Sequence, residues 1–177
     1  MRVHDLFDFI ENFTESQSFK APYSPWIMNI GNLERTLDVN GQIIIVCIEP
    51  KNFNFDNKTI DFLNLSFLSL DDNGERNSFA TNSNNFSSSI IGAVSNALLE
   101  KIKDFEYKAL TFMAFDKIDR RMSLYERIVR NNLNKFGGSY LPNIKMHNGG
   151  KALIIFNKLD ENIKNEFIDW LKTQNKI

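Results

Sequence analysis

The feature that most limits this chain is the dipeptide Asn40-Gly41, because the residues on either side of it both read as strand. Residues 33–39 and 42–49 are mostly apolar. In the second arm β-branched side chains dominate, with Ile43, Ile44, Ile45, Val46 and Ile48 in near succession. Asn-Gly accepts the two positive φ angles of a type I′ turn, whose twist matches that of a paired ribbon. The first half is thereby committed to antiparallel sheet. Residues 26–29 are expected to begin that sheet, after a loop over residues 16–24 marked by Pro22 and Pro25. Pro50, with no amide to donate, is expected to end the second arm. Residues 59–70 alternate again, and Asn73-Gly74 predicts a further hairpin returning through residues 77–81.

Beyond residue 90 the apolar period lengthens from that of a strand to that of a helix. Ile91, Val94, Leu98 and Ile102 define one helical stripe, with N-cap hydroxyls on offer at residues 87–89 after the Asn/Ser-rich loop 82–89. The apolar run 107–115 reads as a buried strand. Ile118, Met122, Tyr125, Val129, Leu133 and Phe136 form a second stripe that Gly137-Gly138 stops. Residues 152–156 are a further strand, and Ile163, Phe167, Trp170 and Leu171 mark a terminal helix. At the other end, Val3, Leu6, Phe7, Ile10 and Phe13 give residues 3–13 an amphipathic pattern. The expected fold is mixed α+β (or α/β): a mostly antiparallel central sheet with helices on its faces. With no repeat and no linker visible, residues 1–177 read as a single domain.

Composition narrows the setting. Hydrophobic residues make up 42% of the 177, enough for a core that buries about 70% of the unfolded surface. The single cysteine, Cys47, excludes an internal disulfide and lies in an apolar run as a buried, inert thiol. Acids interrupt every apolar stretch near the N-terminus, which does not fit a secretory leader. No window approaches the ~18 apolar residues of a membrane span, so a soluble, cytoplasmic protein is expected. Net charge is −1, but residues 1–75 hold 12 acids against 5 bases, and residues 117–151 hold 8 bases against 2 acids. That asymmetry suits an anionic partner for the second half, or two faces that solvate separately.

Complete catalytic motifs are missing. Two histidines, His4 and His147, lack zinc-ligand spacing, and no metal site is expected. Asp71 and Asp72 beside Asn73-Gly74 lack the spacing and closing glutamate of a calcium loop. No Gly-x-Ser-x-Gly elbow is present, and Gly149-Gly150-Lys151 precedes a strand where a phosphate loop precedes a helix. Two segments stand out instead. Ser88, Ser89, Gly92, Ala93 and Ser95 form a small-residue run into a helix, whose free amides suit an anion. Arg120, Arg121, Arg127 and Arg130 crowd the basic helix 119–135; three of them, Arg120, Arg127 and Arg130, share the face opposite its apolar stripe. With Lys145 these are candidates for an anionic or protein partner.

The order polar loop, helix, strand with Phe112-Met113-Ala114, then a helix bearing Arg121 to Tyr125 resembles the core of the GNAT acetyltransferases. Over about residues 79–130 it is similar to uncharacterised phage-encoded proteins of that kind. The resemblance implies that the small-residue turn (Ser88, Ser89, Gly92, Ala93, Ser95) would bind the pyrophosphate of acetyl-CoA. It likewise implies that Tyr125 would act as general acid. The turn departs from the family's glycine-rich pattern: Ala93 and Ser95 stand at the small positions, Gly92 is out of register, and no Lys or Arg occurs from Asn77 to Glu100. The expectation is therefore a phage- or mobile-element-type accessory protein on a GNAT-like scaffold. It would be non-catalytic, without cofactor, and would act through protein contacts as a virion component or host-interaction factor. An acetyl-CoA-dependent N-acetyltransferase is the alternative, and a nucleic-acid-binding protein using helix 119–135 is the third.

Overall fold

A computed structural model describes residues 24–70, 74, 76–77, 88–105, 107–114, 120–146, 149–157 and 159–177. The helix expected over residues 3–13, the loop to residue 23, Asp71, Asp72 and most of the Asn/Ser-rich stretch lie outside the described residues. What is described is a mixed α+β protein. By contact density the chain falls into two compact units: Met1–Pro50 with Leu65–Glu106, and Lys51–Asn64 with Tyr107–Ile177.

The first unit is built on tight hairpins. Strand β1 (Ile27–Asn29) pairs antiparallel with β2 (Asn32–Val39), and β2 with β3 (Gln42–Phe55). The register Val39↔Gln42 leaves Asn40 and Gly41 alone in the turn at φ 55° and 80°, and Asp38 Oδ1 accepts the Gly41 amide at 2.9 Å. This is the expected hairpin. The register Asn29↔Asn32 leaves another two-residue turn, Ile30-Gly31, at φ 47° and 79°. A β-branched residue seldom takes a positive φ, so Ile30 is strained where Asn40 is not. β4 (Lys58–Leu70) continues the ladder and pairs with the short β5 (Arg76–Asn77) through Ser69↔Asn77 and Leu70↔Arg76. This is the described part of the return expected after Asn73-Gly74. Helix α1 (Ser88–Lys101) packs on β2, and Arg35 of β2 reaches Glu100 at 3.0 Å. The helix includes Ser88 and Ser89, which the sequence reading left in the loop. Ile44 to Ile48 are all buried, Cys47 among them as expected.

Pro50 does not end β3. The strand runs through it to Phe55, because a proline removes an amide without leaving the extended region of φ. The turn to β4 is made by Asp56 and Asn57, both at positive φ (42° and 62°), a hairpin the sequence reading missed.

The tip of that hairpin opens the second unit, whose ladder runs β4, β6 (Ala109–Ala114), β8 (Lys151–Phe156), β7 (Ser139–Lys145). β6–β8 and β8–β7 are antiparallel. β7 was not foreseen. Its alternation is broken by Pro142 and by Asn143 at φ 59°, where the register slips between Leu141 and Ile144. Helix α2 (Arg120–Phe136) packs on β6 and β8, and α3 (Glu161–Thr173) completes the unit. Asp160 caps α3 by accepting the amides of Asn162 and Ile163. Gly137 and Gly138 end α2 as expected, both amides donating to the Leu133 carbonyl. Gly137 is required twice over: its φ is 128°, and a Cβ there would come within 2.9 Å of the Asn157 Cβ.

Candidate functional site

Successive residues of β6 face opposite ways, and the two sides differ. Leu110 and Phe112 are wholly buried towards α2, where the Phe112 ring lies 4.9 Å from Tyr125 and 6.4 Å from Phe136. Ala109, Thr111 and Met113 instead line a cavity of about 370 Å³, within the range of about 300–1,000 Å³ typical of small-molecule sites.

Register explains why space remains on that side. Ala109 stands opposite Phe156, and Met113 opposite Ala152, so a small residue faces a large one at both ends of the pairing. A helix lies across this face. That helix is α3, whose stripe Phe167, Trp170 and Leu171 covers the cavity with flat rings at helical spacing. Phe53 of β3 meets the Phe167 and Trp170 rings edge-on, each at 5.3 Å, while those two rings lie nearly parallel, 6.3 Å apart. Ile60 and Phe62 of β4 close one flank, and Ile144 and Met146 the other. Lys58 of β4 pairs with Glu166 of α3, tying cover to floor.

Of the sixteen described lining residues thirteen are apolar, so this lining suits hydrocarbon; the exceptions are Thr111, Lys145 and Lys176. Thr111 is 1% exposed, and its hydroxyl has no hydrogen-bond partner among the described residues. A buried hydroxyl left in that state costs about 1–3 kcal/mol. The two lysines come from neighbouring backbone: the Lys145 amide donates to the Lys176 carbonyl at 2.8 Å. Lys145 is exposed and Lys176 half-buried, and neither has an ion-pair partner among the described residues. Among the described residues no histidine, cysteine or carboxylate lines the space. Such a lining suits an apolar ligand.

Tyr107, just before β6, is a buried titratable group of this unit. Burial holds its phenol above the ordinary value, and a hydrogen bond with Asn157 works the other way.

The residues singled out from sequence are scattered. Tyr125 is 2% exposed, on the face of α2 turned to Phe112 and away from the cavity. Gly92 is exposed and has nothing within 4 Å of where a Cβ would stand. Ala93 is half-buried. Ser89 is exposed in the first turn of α1, and Ser88 begins the helix. Ser95 lies two turns in, buried, its hydroxyl donating to the Ile91 carbonyl at 2.7 Å. Arg127 and Arg130 are exposed on α2, with Arg130 donating to Tyr140 Oη at 3.0 Å and pairing with Glu126. Arg120 and Arg121 open α2, and their side chains lie outside the described residues. Of those whose side chains are described, Lys145 alone lines the cavity.

Among the described residues no three His, Cys, Asp or Glu side chains gather as metal ligands, and no helix is long and apolar enough to cross a membrane. The cavity itself was missed from sequence. Its one available signal was Thr111, the single polar residue in the strand Ala109–Ala114. No protein-family model, no curated protein and no solved structure matches the chain.

Proposed function

We propose that this is a non-catalytic binding protein whose second unit takes an apolar small molecule between the β4–β6–β8 sheet and α3. The carrying observation is the composition of the cavity: a 370 Å³ space whose described lining is almost wholly apolar. An accessory role on a GNAT-like scaffold, phage- or mobile-element-type, fits this reading; scaffold likeness alone assigns no chemistry. The degraded small-residue turn, with Ser95 bonded into its own helix, supports an absence of acetyl-CoA chemistry.

The test is a fluorescence titration with the neutral apolar probe N-phenyl-1-naphthylamine, on the full chain and on Ala152→Leu, which fills the cavity. Saturable binding by the native chain, lost in Ala152→Leu while circular dichroism is unchanged, is expected. Ala109→Leu, at the opposite end of the pairing, repeats the test should the first variant misfold. Absence of probe binding, or binding indifferent to both fillings, overturns the proposal. Calorimetric heat on adding acetyl-CoA would overturn its non-catalytic part.

A second reading, a protein-contact role for the first unit, has one observation in its favour. Ile30 is 96% exposed and held at positive φ at the tip of the β1–β2 hairpin, so an apolar group sits in a strained position with nothing of its own to pack on. Ile30→Asn would relieve the strain; loss of a protein partner captured by the native chain would support this reading, and unchanged capture would end it.

A further inference from the structure

We infer that the ligand of this cavity is a medium-chain carboxylate carrying a second, neutral hydrogen-bonding group on its hydrocarbon; the inference rests on the binding function proposed above. Three observations give the ligand its three parts.

The apolar walls call for hydrocarbon, and a volume near the lower end of the range for small-molecule sites limits its length. Lys145 and Lys176 supply the anionic end. They are the two charged residues of the described lining, both positive, their backbones joined by an amide-to-carbonyl bond, and neither is neutralised by a carboxylate among the described residues. A carboxylate has two oxygens and can meet both ammonium groups at once, and charge-assisted bonds of this kind are stronger than neutral ones. The third part follows from Thr111. Thr111 lines the space, but its hydroxyl is turned in from the surface and finds no partner among the described residues, so a rotation about χ1 that brings it to a ligand hydroxyl or carbonyl gains a bond and breaks none. A plain alkyl chain leaves that hydroxyl unmet.

The experiment displaces bound N-phenyl-1-naphthylamine with octanoate, decanoate and dodecanoate, with their methyl esters, and with their ω-hydroxy derivatives. The acids are expected to bind about three- to tenfold more tightly than the esters at low salt. That preference should shrink to less than about twofold in Lys145→Gln/Lys176→Gln, where both charges are gone. In at least one chain length the ω-hydroxy acid should surpass the plain acid, and Thr111→Val should reverse that order. Equal affinities for acids and esters overturn the anionic end. Failure of Thr111→Val to change the ranking overturns the polar contact. In both cases the probe still binds and the underlying function stands; if the probe itself does not bind, that function is what has failed.

Discussion

The two faces of the second unit's sheet are made from the same strands and have opposite character. On one face Leu110, Phe112, Leu153 and Ile155 are each fully buried, packed through the Phe112–Tyr125–Phe136 ring cluster. On the other, Ala109, Thr111, Ala152 and Ile154 leave a cavity under the rings of α3. The difference does not come from hydrophobicity, which is high on both sides. It comes from the order of large and small residues across the pairing, and from one hydroxyl left without a partner. A filled face gives its stability to the fold, whereas an unfilled one keeps part of its binding energy for something else.

That contrast can be broken by substitution. Phe112→Ala should have the largest effect, a loss of about 3–5 kcal/mol of unfolding free energy, because the ring is wholly buried among two others; chemical denaturation measures it. Next comes a matched pair. Ala114→Leu, on the filled face by the alternation of β6, should destabilise by about 1–3 kcal/mol through overpacking. Ala152→Leu, on the cavity face, should instead leave stability unchanged or raise it by about 0.5–2 kcal/mol. Equal losses for both would mean that the faces do not differ. Thr111→Val should shift stability by less than about 1 kcal/mol in either direction, since it removes an unmet hydroxyl while keeping the shape.

The smallest effect concerns pH. Because the folded state holds the Tyr107 phenol above its ordinary 10.0, the folded protein keeps a proton that the unfolded chain releases. This contribution is fully present below the ordinary value and is lost as pH rises towards the folded-state value. Alkaline denaturation of Tyr107→Phe should therefore be the shallower of the two curves above that point.

Much of this architecture was legible, and the reasons are local. Asn40-Gly41 forced its hairpin because few other pairs take two positive φ angles so easily. The α2 and α3 stripes were visible because Tyr125, Val129, Phe167, Trp170 and Leu171 fall at helical spacing. What escaped was structure fixed by neighbours. Pro50 looked like a stop, yet extended φ let β3 pass through it. Asp56-Asn57 has the chemistry of a turn, but Pro50 had already been taken as the end of the arm. β7 was hidden by Pro142 and Asn143, and its existence depends on pairing with β8. Little of the cavity could be read, because a void is a property of facing pairs. Nothing in the sequence places Ala109 opposite Phe156, or Ala152 opposite Met113. Phe167 and Trp170 mark the terminal helix by their spacing, which does not show that their rings line a cavity.

The irregularities of β7 have a consequence for how this protein meets its own copies. As the outer strand of its ladder, β7 would offer a free row of amides and carbonyls to any passing strand. Pro142 removes a donor, Asn143 turns the backbone aside, and the Lys176 carbonyl already occupies the Lys145 amide. A second chain finds no straight template there, which works against sheet growth along that edge.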